Sequence, residues 1–274
     1  MVLPAFSSRM LIVGCGNMGS AMLRGWIAGG MNPRQFVVID PFADNVPDDV
    51  TIHRSASEVD ETFDTVLLGI KPQMIHELAA SISVLLKRDA LLLSILAGIE
   101  VATLSQHFPT ARIFRLMPNL AAAIGKSPLG LWSNRPHEND RYDVEALLTP
   151  LGSPIWLTSE EQMNVVTALA GSGPAFVYRF INALADGATQ LGLPRATATQ
   201  LATATVEGAA LLAAQSGEPL GDLAARVTSP GGTTAAGLDV LDRDGAFVAL
   251  MKSTLRAARD RGVELGQTST GDKA

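Results

Sequence analysis

A second cysteine is missing from this chain. Only Cys15 is present, so no intrachain disulfide can form, and nothing in the cysteine usage points to an oxidising compartment. A run of lysines and arginines is missing too. With a formal net charge of −6 over 274 residues and no cationic cluster, the chain is a poor nucleic-acid binder, because neutralising phosphates takes grouped cations. A membrane-length apolar run is also absent. The greasiest stretch, 90–99 (ALLLSILAGI), stops at Glu100, whereas a bilayer takes about 20 residues to cross. Only Arg9 is basic near the start, and the apolar run after it is broken by glycines and Asn17, which is no signal-peptide pattern. These absences predict a soluble, cytoplasmic protein with neither nucleic acid nor membrane as partner. What is present is apolar: 47% hydrophobic against 18% charged residues excludes a disordered polyelectrolyte. The length suits one large domain or two ordinary ones, either of which can bury a real core.

In the first half, short apolar runs alternate with stretches of helical length. MLIV (10–13), FVVI (36–39), TVLLGI (65–70), LLLSI (91–95) and RIFRL (112–116) read as strands, closed in turn by glycine or by Asp40-Pro41, Lys71-Pro72 and Met117-Pro118-Asn119. Helical patterns fill 19–28 and 73–86. Unbroken apolar strands alternating with helices predict an α/β domain whose mostly parallel, doubly wound sheet is covered on both faces. Two further strands are expected at 127–133 and 153–157. Near residue 158 the pattern changes. Thr158-Ser159-Glu160-Glu161 has the form of a capping box, and alanine-rich helical stretches follow, broken at 192–194, 216–219 and 229–232. This predicts a cofactor-type domain over 1–158 and an all-α domain over 159–274, with 267–274 frayed.

Gly14-Cys15-Gly16-Asn17-Met18-Gly19 is a G-x-G-x-x-G between the first strand and the first helix. In that context the first glycine allows the tight turn, the second lets the backbone approach a pyrophosphate, and the third allows close helix–strand packing, with the helix N-terminus facing the negative charge. The first domain therefore reads as Rossmann-like, with a dinucleotide as cofactor. Asp40, closing the second strand, is placed to accept from a ribose 2′-OH and would repel a 2′-phosphate, which favours NADH; it also reads as an ordinary turn residue before Pro41. Arg54 could serve a 2′-phosphate if its loop comes near. Cys15 reads as a small residue against the cofactor, with no base beside it to activate it. The turns at Lys71 and at 96–98 end strands, where ligands of open α/β sheets sit.

In the helical part, Ala170-Gly171-Ser172-Gly173-Pro174-Ala175 places two glycines and a proline in a helical pattern, at a cost of several kcal/mol. That implies a kink or a close approach by a ligand or another backbone. Ser229-Pro230-Gly231-Gly232-Thr233-Thr234 leads into a helical stretch at 235–241. Its unclaimed backbone N–H groups and two hydroxyls suit a carboxylate, although an ordinary capped helix start has the same pattern.

At these residues the chain resembles the pyrroline-5-carboxylate reductase family. VTSPGGTTAAGLDVLD (227–242) follows that family's C-terminal motif almost throughout, and GCGNMG, IKPQ, LAG, MPN and AGSGPA occur in the family's order. The resemblance covers roughly 9–265. It implies that Gly14, Gly16, Asn17, Met18 and Gly19 hold NADP(H) or NAD(H). Ile70, Lys71, Pro72, Ala97 and Gly98 would line its nicotinamide half, with Asn119 near the ring. Gly231, Gly232, Thr233 and Thr234 would bind the substrate, with Thr234 as the candidate catalytic residue at the ring nitrogen. No metal is implied. The implied reaction is hydride transfer to the cyclic imine pyrroline-5-carboxylate, giving L-proline. The implied assembly is an intertwined homodimer, extended in some members to a ring of dimers, with the site between one subunit's cofactor domain and its partner's helices. Leu96 stands where the family usually has alanine, Leu120-Ala121 follow MPN in place of a threonine-proline pair, and Ala56 stands where some members have an asparagine near the adenosine ribose.

Two other readings compete. A β-hydroxyacid dehydrogenase would carry a lysine and an asparagine where this chain has Val177 and Ile181, so the acid/base group of a carbonyl reduction is missing. A non-catalytic module sensing NAD(H) would leave the glycine–threonine loop without a task.

Overall fold

The computed structural model describes residues 9–44, 46–134, 136 and 138–270. Two compact units divide the chain, one of Met1–Gly171 with Ala258–Ala274 and the other of Ser172–Ala257.

The first unit is built on an eight-stranded sheet. Its strands are β1 (Met10–Val13), β2 (Phe36–Ile39), β3 (Thr51–His53), β4 (Phe63–Leu68), β5 (Leu86–Ser94), β6 (Arg112–Met117), β7 (Ser127–Trp132) and β8 (Gly152–Trp156). They lie in the order β3-β2-β1-β4-β5-β6-β7-β8. Every neighbouring pair is parallel except β6 with β7. This is the mostly parallel, doubly wound sheet expected from the sequence, with its order reversing between β1 and β4.

The unbroken apolar runs follow from having a core on each face. Alternate side chains go to opposite sides of a strand. Met10 and Ile12, with Phe36 and Val38, enter one buried cluster. Leu11 and Val13, with Val37 and Ile39, enter the other. On the first face, helix α1 (Asn17–Ala28) supplies Met22, Leu23 and Trp26, and helix α4 (Glu138–Leu148) supplies Val144, Leu147 and Leu148. Trp26 stacks on Phe36 and donates through Nε1 to the carbonyl of Leu147 at 2.7 Å. On the second face, helix α2 (Ile75–Ser83) and helix α3 (Val101–His107) bring Ile75, Ile82, Val101 and Leu104.

Three differences from the expected elements have physical reasons. The edge strand β3 is half-exposed and short, so it carries no apolar run to betray it. β5 starts five residues before the expected 91, where exposed Lys87, Arg88 and Asp89 hide the strand from any hydrophobic pattern. The capping box at Thr158 does not form. Helix α5 (Gln162–Val166) begins later, and the Thr158 N–H and hydroxyl both donate to Gln162 Oε1, at 3.0 and 3.2 Å. Glu160 meanwhile is drawn to Arg115 and Val101, and a hydrogen bond from Ser159 holds the Glu161 carboxyl below its usual range.

No strand follows Trp156 among the described residues. A π-helical turn, Thr167–Gly171, sits at the expected irregularity, and helix α6 (Gly173–Gln190) starts with Pro174 in its first turn, where the missing N–H does no harm. The second unit continues with α7 (Arg195–Ser216), α8 (Leu220–Arg226) and α9 (Thr233–Leu241); the last helix, α10, spans Ala246–Thr270. The breaks fall where glycine and proline predicted them. Within this unit α6 and α7 pack through Ala185, Ala198 and Ala202. Val177, Tyr178, Phe180, Leu184, Leu201 and Leu212 stay exposed. Among the described residues no helix is long and apolar enough to cross a membrane. The 271–274 part of the expected frayed end lies outside the described residues.

Candidate functional site

The glycine-rich turn sits at the switch point of the sheet. Gly14 follows β1 with φ +90°, and a Cβ built there would stand 2.6 Å from the Gly69 carbonyl carbon. Gly69 N–H donates to Val13 O at 2.7 Å, which locks the turns after β1 and β4 together. A Cβ on Gly19 would run into the Gly14 carbonyl oxygen. Gly16 differs: a Cβ there would meet nothing within 4 Å. The first and third glycines are thus required by packing, whereas the second leaves open space above an exposed backbone. Gly16 also caps α1 in an extended conformation with no side chain bonded to the helix start. Asn17 and Met18 open the helix, so their N–H groups belong to the set a helix leaves unsatisfied. Open space and unclaimed amides fit a pyrophosphate.

A cavity of about 610 Å3 runs from this turn along the ends of the strands. Gly14, Gly16, Asp40, Arg54, Ile70 and Lys71 are among its walls. The Asp40 carboxylate is engaged by backbone on both oxygens. Oδ2 accepts from Cys15 N–H and Oδ1 from Phe42 N–H, each at 2.7 Å. Arg54, just past β3, donates through Nη1 to the carbonyls of Asp40 (3.3 Å) and Ala43 (3.1 Å). Cys15 is buried, and burial, followed by the negative charge of Asp40, pushes its thiol up to about 11. It is a packing residue and a poor nucleophile.

The remaining residues singled out on the cofactor side lie at neighbouring strand ends. Lys71 precedes a short 3-10 turn at Pro72–Met74, whose Met74 N–H donates back to Lys71 O at 2.9 Å. Ala97 is exposed on the turn after β5, while the preceding Leu96 is buried in the second core, so leucine in place of alanine there fills the interior. Gly98 has φ +76°, and a Cβ on it would lie 2.6 Å from Gly266 Cα in the same unit. Asn119 is buried. Its Oδ1 accepts from Ala121 N–H at 3.0 Å, its Nδ2 donates to Ala170 O at 3.0 Å, and its own N–H donates to Ser127 Oγ at 2.9 Å. Ala97, Gly98 and Asn119 are not among the walls of the larger cavity.

One cluster escaped the sequence reading. Arg115, the second arginine of RIFRL, is buried on β6 and pairs with Glu160 at 2.9 Å. The same Glu160 oxygen accepts the N–H of Val101, the first residue of α3, at 2.8 Å. Arg115 and Glu160, with Gly98 and Asn164, are among the walls of a second cavity of about 260 Å3. A charged residue inside a strand otherwise apolar is the signal that could have found it.

In the second unit, Gly231 has φ +68°, and its neighbour Gly232 caps α9 with extended backbone. Gly232 N–H donates to Ser229 O at 3.0 Å. Helix α9 starts at Thr233, two residues earlier than expected, and no side chain caps it. Thr233 is exposed and Thr234 half-buried. An uncapped helix start flanked by two hydroxyls is able to hold a carboxylate. Val177 and Ile181 lie on α6 and offer no titratable group. No group of three or more His, Cys, Asp or Glu side chains suited to a metal occurs among the described residues.

Comparison with known proteins gives concordant matches. Residues 160–265 match the family described as pyrroline-5-carboxylate reductase dimerisation. Residues 9–98 match the family described as NADP oxidoreductase, coenzyme F420-dependent. The pyrroline-5-carboxylate reductase of Glycine max is 34% identical, covering 94% of this chain and 96% of its own. That of Pseudomonas aeruginosa is 34% identical, covering 94% and 97%. Among solved structures, a pyrroline-5-carboxylate reductase from Coxiella burnetii is 30% identical with a TM-score of 0.84, covering 94% of this chain and 98% of that one. The Plasmodium falciparum pyrroline carboxylate reductase, with NADP bound, is 26% identical with a TM-score of 0.82 over the same shares.

Proposed function

The chain belongs to the pyrroline-5-carboxylate reductase family, and from that membership we infer that it reduces the C=N bond of pyrroline-5-carboxylate to give L-proline. It is an NAD(P)H-dependent oxidoreductase, and its reaction closes proline biosynthesis. The observation that carries this reading is identity at a third of the residues over nearly the full length of reductases bearing that name. The open space above Gly16, at a turn whose other two glycines are packed, supports the cofactor half.

The bound dihydronicotinamide supplies a hydride to the imine carbon. The chain's own work is orientation and charge. Gly14, Gly16, Asn17, Met18 and Gly19 form the turn and helix start that hold the pyrophosphate. Asp40 braces that turn through Cys15 N–H. Ile70, Lys71, Pro72, Ala97 and Gly98 are the strand-end residues assigned to the nicotinamide half. Asn119 serves it from behind, by holding the π-helical turn through Ala170 O. Gly231, Gly232, Thr233 and Thr234 take the substrate carboxylate at the start of α9, and the Thr234 hydroxyl bonds the ring nitrogen. A cyclic imine is basic enough to be protonated by solvent, so the reaction asks for placement within near-attack distance more than for a dedicated acid. The absence of a titratable side chain at Val177 and Ile181 is consistent with that, and disfavours a β-hydroxyacid dehydrogenase.

The division of labour follows the two parts: cofactor binding in 1–158, substrate binding and dimerisation in 159–274. The chain forms a homodimer through its dimerisation region, and the exposed apolar side chains of α6 and α7 are the surface such contact would cover. Assembly of dimers into a larger ring is the further expectation, and the cytoplasm the expected compartment. NAD(P)H oxidation followed with pyrroline-5-carboxylate, against a β-hydroxyacid oxidised with NAD(P)+ as control, tests the reading. Turnover with the imine alone supports it; turnover with the hydroxyacid alone, or none with any imine, overturns it.

A further inference from the structure

Asp40 occupies the position from which a carboxylate ordinarily selects a ribose 2′-OH and rejects a 2′-phosphate. Here its two oxygens already accept the N–H groups of Cys15 and Phe42. It works as a latch between the glycine turn and the loop after β2. Beside it, the turn after β3 presents a different chemistry. Arg54, Ser55 and Ser57 all line it. The guanidinium is anchored only through Nη1, to two backbone carbonyls, and among the described residues no carboxylate pairs with it. Glu58, which is not among the cavity's walls, holds the turn: its Oε2 accepts Arg54 N–H at 2.9 Å and its Oε1 accepts the Ser55 hydroxyl at 3.3 Å. The Ser55 and Ser57 hydroxyls lie 2.9 Å apart. A pre-placed cation with unclaimed N–H groups, on a turn whose two hydroxyl-bearing residues line the same cavity, is a seat for a phosphate monoester.

We propose that Arg54, with Ser55 and Ser57, is the specificity determinant that seats the 2′-phosphate of NADP(H), and that this chain therefore binds NADP(H) in preference to NAD(H) in spite of Asp40. The proposal rests on the dinucleotide reading of the glycine turn and deepens it. It reverses what Asp40 suggests from sequence. Selection comes from a charge-assisted contact available only to the phosphorylated cofactor, while Asp40 organises the turn for both.

The test separates the adenosine end from the reaction. Calorimetric titration of the full-length protein with adenosine 2′,5′-bisphosphate and with 5′-AMP measures the worth of the 2′-phosphate with no nicotinamide or imine present. The wild type should bind the bisphosphate about 10-fold or more tightly, the scale of one hydrogen bond between charged groups. Arg54→Gln should reduce that ratio to within about threefold, mainly by weakening the bisphosphate. Arg54→Lys should keep part of the preference, because it keeps the charge but not the planar fork. Ser55→Ala with Ser57→Ala should give an intermediate ratio. NADP+ and NAD+ titrations should follow the same order. A wild type that does not distinguish the two nucleotides overturns the proposal. So does an Arg54→Gln variant that keeps the full ratio or loses both ligands in parallel, since parallel loss would mean that Arg54 only supports its loop. Failure of imine turnover would strike the proposed reaction and leave these binding ratios standing.

Discussion

Asn119 Nδ2 donates to the carbonyl oxygen of Ala170 over 3.0 Å. This bond ties the turn after β6 to the π-helical turn that closes the first stretch of the first unit. Because Asn119 Oδ1 also accepts Ala121 N–H, one buried side chain shapes both segments. Replacing it with alanine leaves a carbonyl and an amide without their partners, each worth about 1–3 kcal/mol when stranded from water. Asn119→Ala is expected to lose about 2–4 kcal/mol in urea unfolding with an unchanged m value. A loss below about 0.5 kcal/mol, the usual scale of a surface change, would remove this role.

Most of the sheet was legible because its strands are apolar on both faces. MLIV and FVVI match β1 and β2 residue for residue. β3 and the first residues of β5 were not legible, because one is an exposed edge and the other is charged. The glycine turn could be read because Gly14 and Gly19 are needed there for backbone reasons, whereas α9 starts two residues before the stretch expected from the sequence. The engagement of Asp40, Asn119 and Glu160 could not be read, because a polar side chain in a sequence does not announce which backbone group it will meet.

Arg115 and Glu160 form an ion pair largely withdrawn from water, with side chains only 6% and 17% exposed. Removing one partner strands a charge in the interior. Glu160→Ala should therefore cost about 3–5 kcal/mol and free the Val101 N–H that opens α3. Adding Arg115→Met should restore part of that loss, so that the double-mutant cycle gives a coupling above about 1 kcal/mol. Additive losses would mean that the two residues act separately.

Cys15 should be slow to react. With its thiol pushed up to about 11 from 9.0, the thiolate fraction at pH 8 falls about 100-fold relative to an ordinary cysteine. Ellman's reagent should label the folded protein at least about 10 times more slowly than the protein in denaturant, since a more basic thiolate is also more nucleophilic. Labelling should accelerate as the pH is raised through 9 and 10, where an ordinary thiol would already level off. Equal rates in the two states would show that the turn leaves the sulfur open.

Thr234 is assigned a hydroxyl contact with the ring nitrogen. Thr234→Ala should lower kcat/KM by about 10-fold or more, the scale of about 1.4 kcal/mol. Thr234→Ser, which keeps the hydroxyl, should recover most of it. If the contact is tighter in the transition state, the loss appears in kcat; uniform binding would appear in KM alone. Wild-type kinetics in the alanine variant would remove Thr234 from the mechanism.

The central claim is hydride transfer to a cyclic imine, and isotopic labelling tests it most directly. With NADPH deuterated at the transferring position of the nicotinamide and pyrroline-5-carboxylate as substrate, the account predicts L-proline carrying one deuterium, on the former imine carbon, formed in step with cofactor oxidation. Cofactor oxidation without labelled proline, or no reaction with the imine while the protein remains folded, would contradict it.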